Sequence, residues 1–266
     1  MIFRRVVCGV NGSVEAIEAA RQATRIADPS ASTLLVNAVE YAADELWDAP
    51  HDQRLATANR LQQKSEDVLE RARRALETQG TIEARSIEGS AAEVVLAQVA
   101  DDPDCLLALG PPSRGRLAGV VAGEVVTQLL HKAPCSVLVA RGSADPDTFP
   151  HSIVVGVDGS AESEAAFAVA WELRERFGAE IRPTVARGGK GVDLEAVQRV
   201  ARDIPFQVDG DSPADALSSA SAEADLVIVG SRGLHGARAI GSVSERVGHQ
   251  AASSVLVVRG VSAQRD

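Results

Sequence analysis

The sequence predicts an α/β protein of two tandem, doubly wound domains, each a parallel sheet with helices on both faces. Three observations carry this. Apolar, β-branched runs alternate with segments of helical periodicity. The alternation runs through the chain twice. The strand ends of the first pass also return in the second: Val10-Asn11-Gly12-Ser13 as Val157-Asp158-Gly159-Ser160, Leu107–Gly110 as Val227–Gly230, and Ser136–Arg141 as Ser254–Arg259. Units this long imply two related domains, because solenoid repeats are only about 20–50 residues.

In the first copy, Phe3–Val10 is an apolar run and reads as a buried strand. Ser13 is placed to N-cap a helix reaching Ala27, with Val14, Ile17, Ala20 and Ala23 on one side. Leu34–Val39 is the second strand. A long helix from Asp52 to Gln79 carries Leu61, Val68, Leu69, Ala72 and Leu76 inward, and Gly80 is placed to stop it. Ile82–Ile87 is the third strand. Ser90-Ala91-Ala92-Glu93 has the form of a capping box for the next helix. Leu106–Gly110 is the fourth strand, Gly123–Lys132 a helix, and Val137–Arg141 the fifth strand. Right-handed crossovers leave few topologies for this order. Gly142–His151 reads as a linker, which sets the domains at 1–143 and 150–261.

The second copy starts with a strand at Ile153–Val157. Its first helix opens at Ser160, buries Ala166, Val169, Ala170, Leu173 and Phe177, and ends at Gly178. Ser212-Pro213-Ala214-Asp215 forms a capping box with proline at the first helical position. Leu226–Gly230 and Val255–Arg259 are its fourth and fifth strands. First-strand exits lie 147 residues apart (157 − 10) and fourth-strand exits 120 (230 − 110), so this copy is 27 residues shorter between them. The loss falls on the long helix, which shrinks to Asp193–Arg202. Pro183 lies in the second strand, Ile181–Val185, and cannot donate to a ladder, so that strand is expected to be irregular or to run beside a gap.

Composition bounds the function. The net charge of −10 and pI near 5.1 disfavour phosphate backbones and anionic lipid as partners, so nucleic-acid and membrane binding are not expected. No apolar stretch approaches the ~20 residues of a membrane span, and Met1–Arg5 runs into a strand, not a signal peptide; the expected location is cytoplasmic. Cys8, Cys105 and Cys135 lack CxxC spacing and read as small buried hydrophobes. The five histidines form no HxxxH or HExxH pair, so no metal site is expected. His131 and His249 occupy equivalent helix ends and read as packing or dipole-capping residues; Trp47 and Trp171 read as packing, and Lys64–Arg74 as a solvated helix face.

Two strand exits carry candidate chemistry, because ligands of open α/β sheets bind beyond the carboxyl ends of strands where the order reverses. After the second copy's fourth strand, Gly230 is followed by Gly233, Gly236, Gly241, Ser242 and Ser244. Small residues let backbone approach a ligand. A helix opening at Gly241-Ser242 offers free N–H groups and a positive dipole end to an anion, and Ser242 and Ser244 add hydroxyls.

This loop resembles the Gly-x2-Gly-x9-Gly-Ser/Thr motif of the universal stress protein family. The flanks agree: Val-Asp-Gly-Ser after strand one, Val229-Gly230-Ser231-Arg232-Gly233 after strand four, and Ala133-Pro134-Cys135-Ser136-Val137-Leu138-Val139 into strand five. The resemblance covers both domains. It implies five parallel strands per domain in the order 3-2-1-4-5. It further implies that ATP-binding members hold adenine near the strand-one Asp and the end of strand two, with ribose and phosphates on the glycine loop. Carried over, the nucleotide residues of the second copy are Asp158, Gly230, Gly233, Gly241, Ser242 and Ser244, with Val185 at the adenine-contacting strand-two position. Its loop has seven residues (234–240) where the motif has nine. The first copy keeps the nine but has Asn11 for the Asp, Pro111-Pro112-Ser113 in the glycine turn, and Glu124 for the hydroxyl residue.

The resulting expectation is a non-enzymatic, stress-responsive regulatory protein, at most a weak ATPase, with ATP or another adenine nucleotide in the second domain only. A nucleotide-free interaction scaffold and a nucleotide-dependent enzyme are the competing classes. The fifth strands would leave bare apolar edges. Ser136–Arg141 is therefore expected to pair antiparallel with Ser254–Arg259, giving a pseudo-dimer within one chain; a second copy of the chain and an unidentified protein are the other expected partners.

Overall fold

The computed structural model describes residues 3–40, 50–76, 80–111, 123–142, 145, 147–186, 192–202, 204–210, 212–231 and 243–259. The first half runs β1 (Arg5–Gly9), α1 (Val14–Ile26), β2 (Ser32–Val39), α2 (His51–Arg74), β3 (Ile82–Glu88), α3 (Ala91–Ala97), β4 (Leu106–Leu109), α4 (Glu124–Lys132) and β5 (Ser136–Val139). The second runs β6 (Ser152–Gly156), α5 (Ala161–Phe177), β7 (Glu180–Ala186), α6 (Leu194–Val200), β8 (Gln207–Asp209), α7 (Pro213–Ala220), a 3-10 turn (Ser221–Glu223), β9 (Leu226–Ser231), α8 (Val243–Gln250) and β10 (Ser254–Arg259).

The strands form one ten-stranded sheet in the order β3-β2-β1-β4-β5-β10-β9-β6-β7-β8. Each half therefore has the order 3-2-1-4-5, with parallel neighbours inside it. Near-continuous apolar strands follow from burial on both faces: Val6, Val7, Cys8, Leu106, Leu107 and Ala108 are all 0% exposed. Alternate strand residues feed two apolar layers. One packs under α1, α2, α5 and α6, the other under α3, α4, α7 and α8. The three cysteines are buried, as read from sequence. Trp171 is half-buried and stacks on Phe167 at 6.3 Å; Trp47 lies outside the described residues.

The halves join where β5 meets β10 antiparallel, Val139 opposite Val255, Leu138 opposite Leu256 and Val137 opposite Val257. Both apolar layers continue across this seam. Polar contacts there come in pairs 118 residues apart. Arg141 N–H donates to Ser254 Oγ (2.8 Å) and Arg259 N–H to Ser136 Oγ (3.1 Å). The Arg141 guanidinium donates to the carbonyls of Gly248 (2.7 Å) and Ser253 (3.2 Å), and that of Arg259 to the carbonyl of Leu130. Through Gly248 and Leu130 each arginine thus serves a carbonyl in the last turn of the other half's last helix, where positive charge is favoured. Residues 147–150 of the stretch read as a linker are tied down as well: Phe149 is 1% exposed, and Arg25 donates to the carbonyls of Asp147 and Phe149.

Several local expectations need correction. Val14 does not face the core but is 78% exposed, because it lies about half a turn around α1 from the buried Ala16 and Ala23. Helix α2 ends at Arg74, well short of Gln79. Gly80 has another purpose: a Cβ there would stand 1.8 Å from the Ala31 carbonyl oxygen. The capping box at Ser90 does not form. Ser90 Oγ donates to Glu93 Oε2 (2.8 Å) rather than accepting from the Glu93 N–H, and the carboxylate of Glu40 accepts from the Ala91 N–H (2.7 Å). At Pro183 the second of the two expected alternatives holds, a regular strand beside a gap: Pro183 pairs with Val155 on one side and has no β8 partner on the other. Thr184 turns its carbonyl to the N–H of Val157, just past β6, so the backbone of residue 183 faces the other side. There β8 pairs only from Thr184 onward, and no ladder bond is lost.

Candidate functional site

The order of each half reverses beside its first strand. In the second half β6 lies between β7 and β9, so the exits Val157–Ser160 and Gly230–Ser231 stand side by side at the carboxyl edge of the sheet, where such folds take ligands. The turn after β6 is built from its own residues. Asp158 Oδ1 accepts from Ser160 N–H (3.0 Å) and Ser160 Oγ (2.6 Å), and Ser160 Oγ accepts from Ser163 N–H (3.2 Å) to cap α5. Gly159 sits at φ +84°, and a Cβ there would be 2.8 Å from Ala196 Cβ on α6. Asp158 is exposed at this edge.

The first half repeats the turn with one atom type changed. Asn11 Oδ1 accepts from Ser13 N–H (3.0 Å), Ser13 Oγ accepts from Ala16 N–H (3.1 Å), and Gly12 sits at φ +86° against Val68. Asn and Asp thus support the same turn, and what differs between the halves is a negative charge.

The other named positions sort clearly. Gly230 is half-buried at the β9 exit, and a Cβ there would stand 2.2 Å from the Glu162 carbonyl oxygen. Strand–helix packing alone therefore demands a glycine. Val185 lies inside β7 opposite Val208, with its side chain 2% exposed in the core; only its backbone could meet a ligand. Ser244 is 9% exposed in the first turn of α8. Gly233, Gly241 and Ser242 lie outside the described residues.

The structure adds one residue that motif reading missed and gives the setting of another that it named. Asn37, at the first-half position matching Val185, donates from Nδ2 to the Val10 carbonyl (2.5 Å) and covers the strand exit. Glu124 opens α4 directly after Gly123, which holds φ +93°. Its carboxylate lies in the first turn, where the helix dipole favours an anion, and it accepts from Gln128 (3.2 Å). The first half therefore carries its own carboxylate at the place where the second half has Ser242 in sequence. A signal for Asn37 was available in the aligned repeats, since Val36-Asn37 matches Thr184-Val185 in register.

Among the described residues no three His, Cys, Asp or Glu side chains gather as metal ligands. No described helix is long and apolar enough to cross a membrane. A polar groove of about 500 Å³ between α2 and β3, lined by Gln62, Glu66, Glu70 and Arg85 among others, lies at the outer sheet edge away from the strand exits.

Comparison with known proteins gives these features a family. The model of the universal stress protein family matches residues 2–141 and 183–259. A universal stress protein of Mycobacterium tuberculosis H37Rv is 35% identical over 181 residues, covering 58% of this chain and 61% of that relative. The chain thus spans about three fifths of the length of such relatives. One from Mycolicibacterium smegmatis is 27% identical with 96% of both chains covered. Among solved structures, a universal stress protein from Archaeoglobus fulgidus superposes with a TM-score of 0.74 at 18% identity, over 96% of each chain, and so shares the fold. With the model matching most of the chain in two segments, on a sheet that repeats the order 3-2-1-4-5, the chain belongs to the universal stress protein family.

Proposed function

We propose that the chain is a cytoplasmic, non-enzymatic regulatory protein that binds an adenine nucleotide in its second domain, 150–261, and none in its first, 1–143. The observation that carries this reading is the contrast at two equivalent helix starts. In the first half Glu124 fills the anion-favouring position with its own carboxylate. The second half has Gly241-Ser242 there by sequence and no such charge. A phosphate beside Glu124 would meet a like charge at close range. A phosphate before α8 would meet backbone N–H groups and the hydroxyl of Ser242.

In this reading Gly233 and Gly241 shape the phosphate loop, and Ser242 and Ser244 supply hydroxyls. Asp158 and the backbone near Val185 flank the base, while Gly230 brings β9 close to α5. The loop between Gly233 and Gly241 is two residues shorter than the family motif, so nucleotides with fewer phosphates belong in the test.

The test is nucleotide content after purification, then calorimetric titration of ATP, ADP and AMP into the wild-type chain and Gly241→Glu. Binding lost in Gly241→Glu supports the proposal. No titration by any nucleotide would leave an interaction scaffold, and Mg-dependent turnover would make the protein an enzyme; either outcome overturns it.

A further inference from the structure

At the seam the two halves meet as near copies, yet one pair of equivalent positions is opposite in size. Leu130 lies near the end of α4, and Gly248 occupies the corresponding place in α8, 118 residues later. Both are buried, and they face each other. A methyl placed on Gly248 would stand 2.9 Å from Leu130 Cδ1, inside the roughly 3.5–4.0 Å at which carbons rest. The neighbouring residues hold the two helices in register: His131 Nε2 is 3.0 Å from Glu245 Oε2, and His249 Nε2 is 2.9 Å from Thr127 Oγ1.

Because Leu130 meets its own equivalent, it lies close to the pseudo-two-fold axis. A truly symmetric pair of first halves would put Leu130 against Leu130, and a pair of second halves would put Gly248 against Gly248. The first is overfilled and the second leaves a void.

We propose that Leu130 and Gly248 are a knob and hole that make the two pairing faces complementary to each other but not to themselves. The first half's face takes a second half's face and rejects a copy of itself. The occupant of this surface is the second half of the chain. An additional copy has no access to it, since β5, β10, α4 and α8 already cover one another. The inference is independent of nucleotide binding.

Four full-length chains test it by urea unfolding: wild type, Gly248→Leu, Leu130→Gly, and the exchanged Leu130→Gly/Gly248→Leu. Removing a helical glycine ordinarily stabilises, so the sign is informative. The proposal expects Gly248→Leu to raise the unfolding equilibrium constant about tenfold or more. Leu130→Gly is expected to raise it as well, and the exchanged chain to recover most of the combined loss. Should Gly248→Leu not accumulate as folded protein, a folded exchanged chain still supports the proposal. An unchanged or higher midpoint for Gly248→Leu overturns it, as does an exchanged chain no more stable than the two losses added.

Discussion

His131 Nε2 lies 3.0 Å from Glu245 Oε2 across the seam, and the equivalent His249 Nε2 lies 2.9 Å from Thr127 Oγ1. One relation is thus repeated about the pseudo-axis, with a carboxylate on one side and a hydroxyl on the other. The His131 and Glu245 side chains are only 20% and 17% exposed, so this contact is shielded compared with a surface pair. Thr127→Ala, which removes the hydrogen bond to His249, should cost about 1 kcal/mol, and Glu245→Ala and Glu245→Gln less. Urea midpoints of the three variants check the ranking.

Arg141 and Arg259 each reach carbonyls of the opposite half. Removing either leaves part-buried carbonyls without their charged donor. Arg141→Ala should cost about 1.5–3 kcal/mol, the range for hydrogen bonds to charged groups. Arg141→Lys should recover little, because an ammonium cannot span the Gly248 and Ser253 carbonyls as the guanidinium fork does. Thermal and urea unfolding of both variants test this.

Gly230 looks like a ligand residue in the motif, but its surroundings demand glycine on packing grounds. Gly230→Ala should destabilise the chain by about 2–3 kcal/mol with or without nucleotide. Unfolding in the absence of any ligand decides the point, and a variant as stable as wild type would show that β9 and α5 can separate there.

Much of the fold is legible in the sequence because the forces that set it are local or periodic. Buried parallel strands must be apolar on both faces, and Ser13 and Ser160 cap the helices that follow them by bonds within three residues. The failures have non-local causes. Ser90 Oγ turns to the Glu93 carboxylate, and Glu40, about 50 residues upstream, caps the Ala91 N–H. Gly80 answers to the Ala31 backbone across the sheet. At the candidate site, the repeat identified equivalent positions but not their neighbours, so the packing of Gly230 against Glu162 and the bond from Asn37 to the Val10 carbonyl were not foreseen.

Burial pushes the Cys8 thiol up from 9.0 to about 12. The folded chain keeps this proton where the unfolded chain releases it. The stability it contributes is therefore complete below pH 9 and is lost as pH rises toward 12. Over that window Cys8 alone should steepen the fall by about 1.4 kcal/mol per pH unit. Cys8→Ala should show a correspondingly shallower decline in unfolding free energy between pH 9 and 12 than wild type.

On the proposed function, only one of the two equivalent strand exits takes a nucleotide. The decisive measurement is the stoichiometry of ATP binding to the chain, by calorimetry of wild type, Gly241→Glu and Glu124→Ser. One nucleotide is expected per wild-type chain, bound in the second half and lost in Gly241→Glu, with Glu124→Ser leaving that affinity unchanged. Two nucleotides per wild-type chain, or one that survives Gly241→Glu, would contradict it.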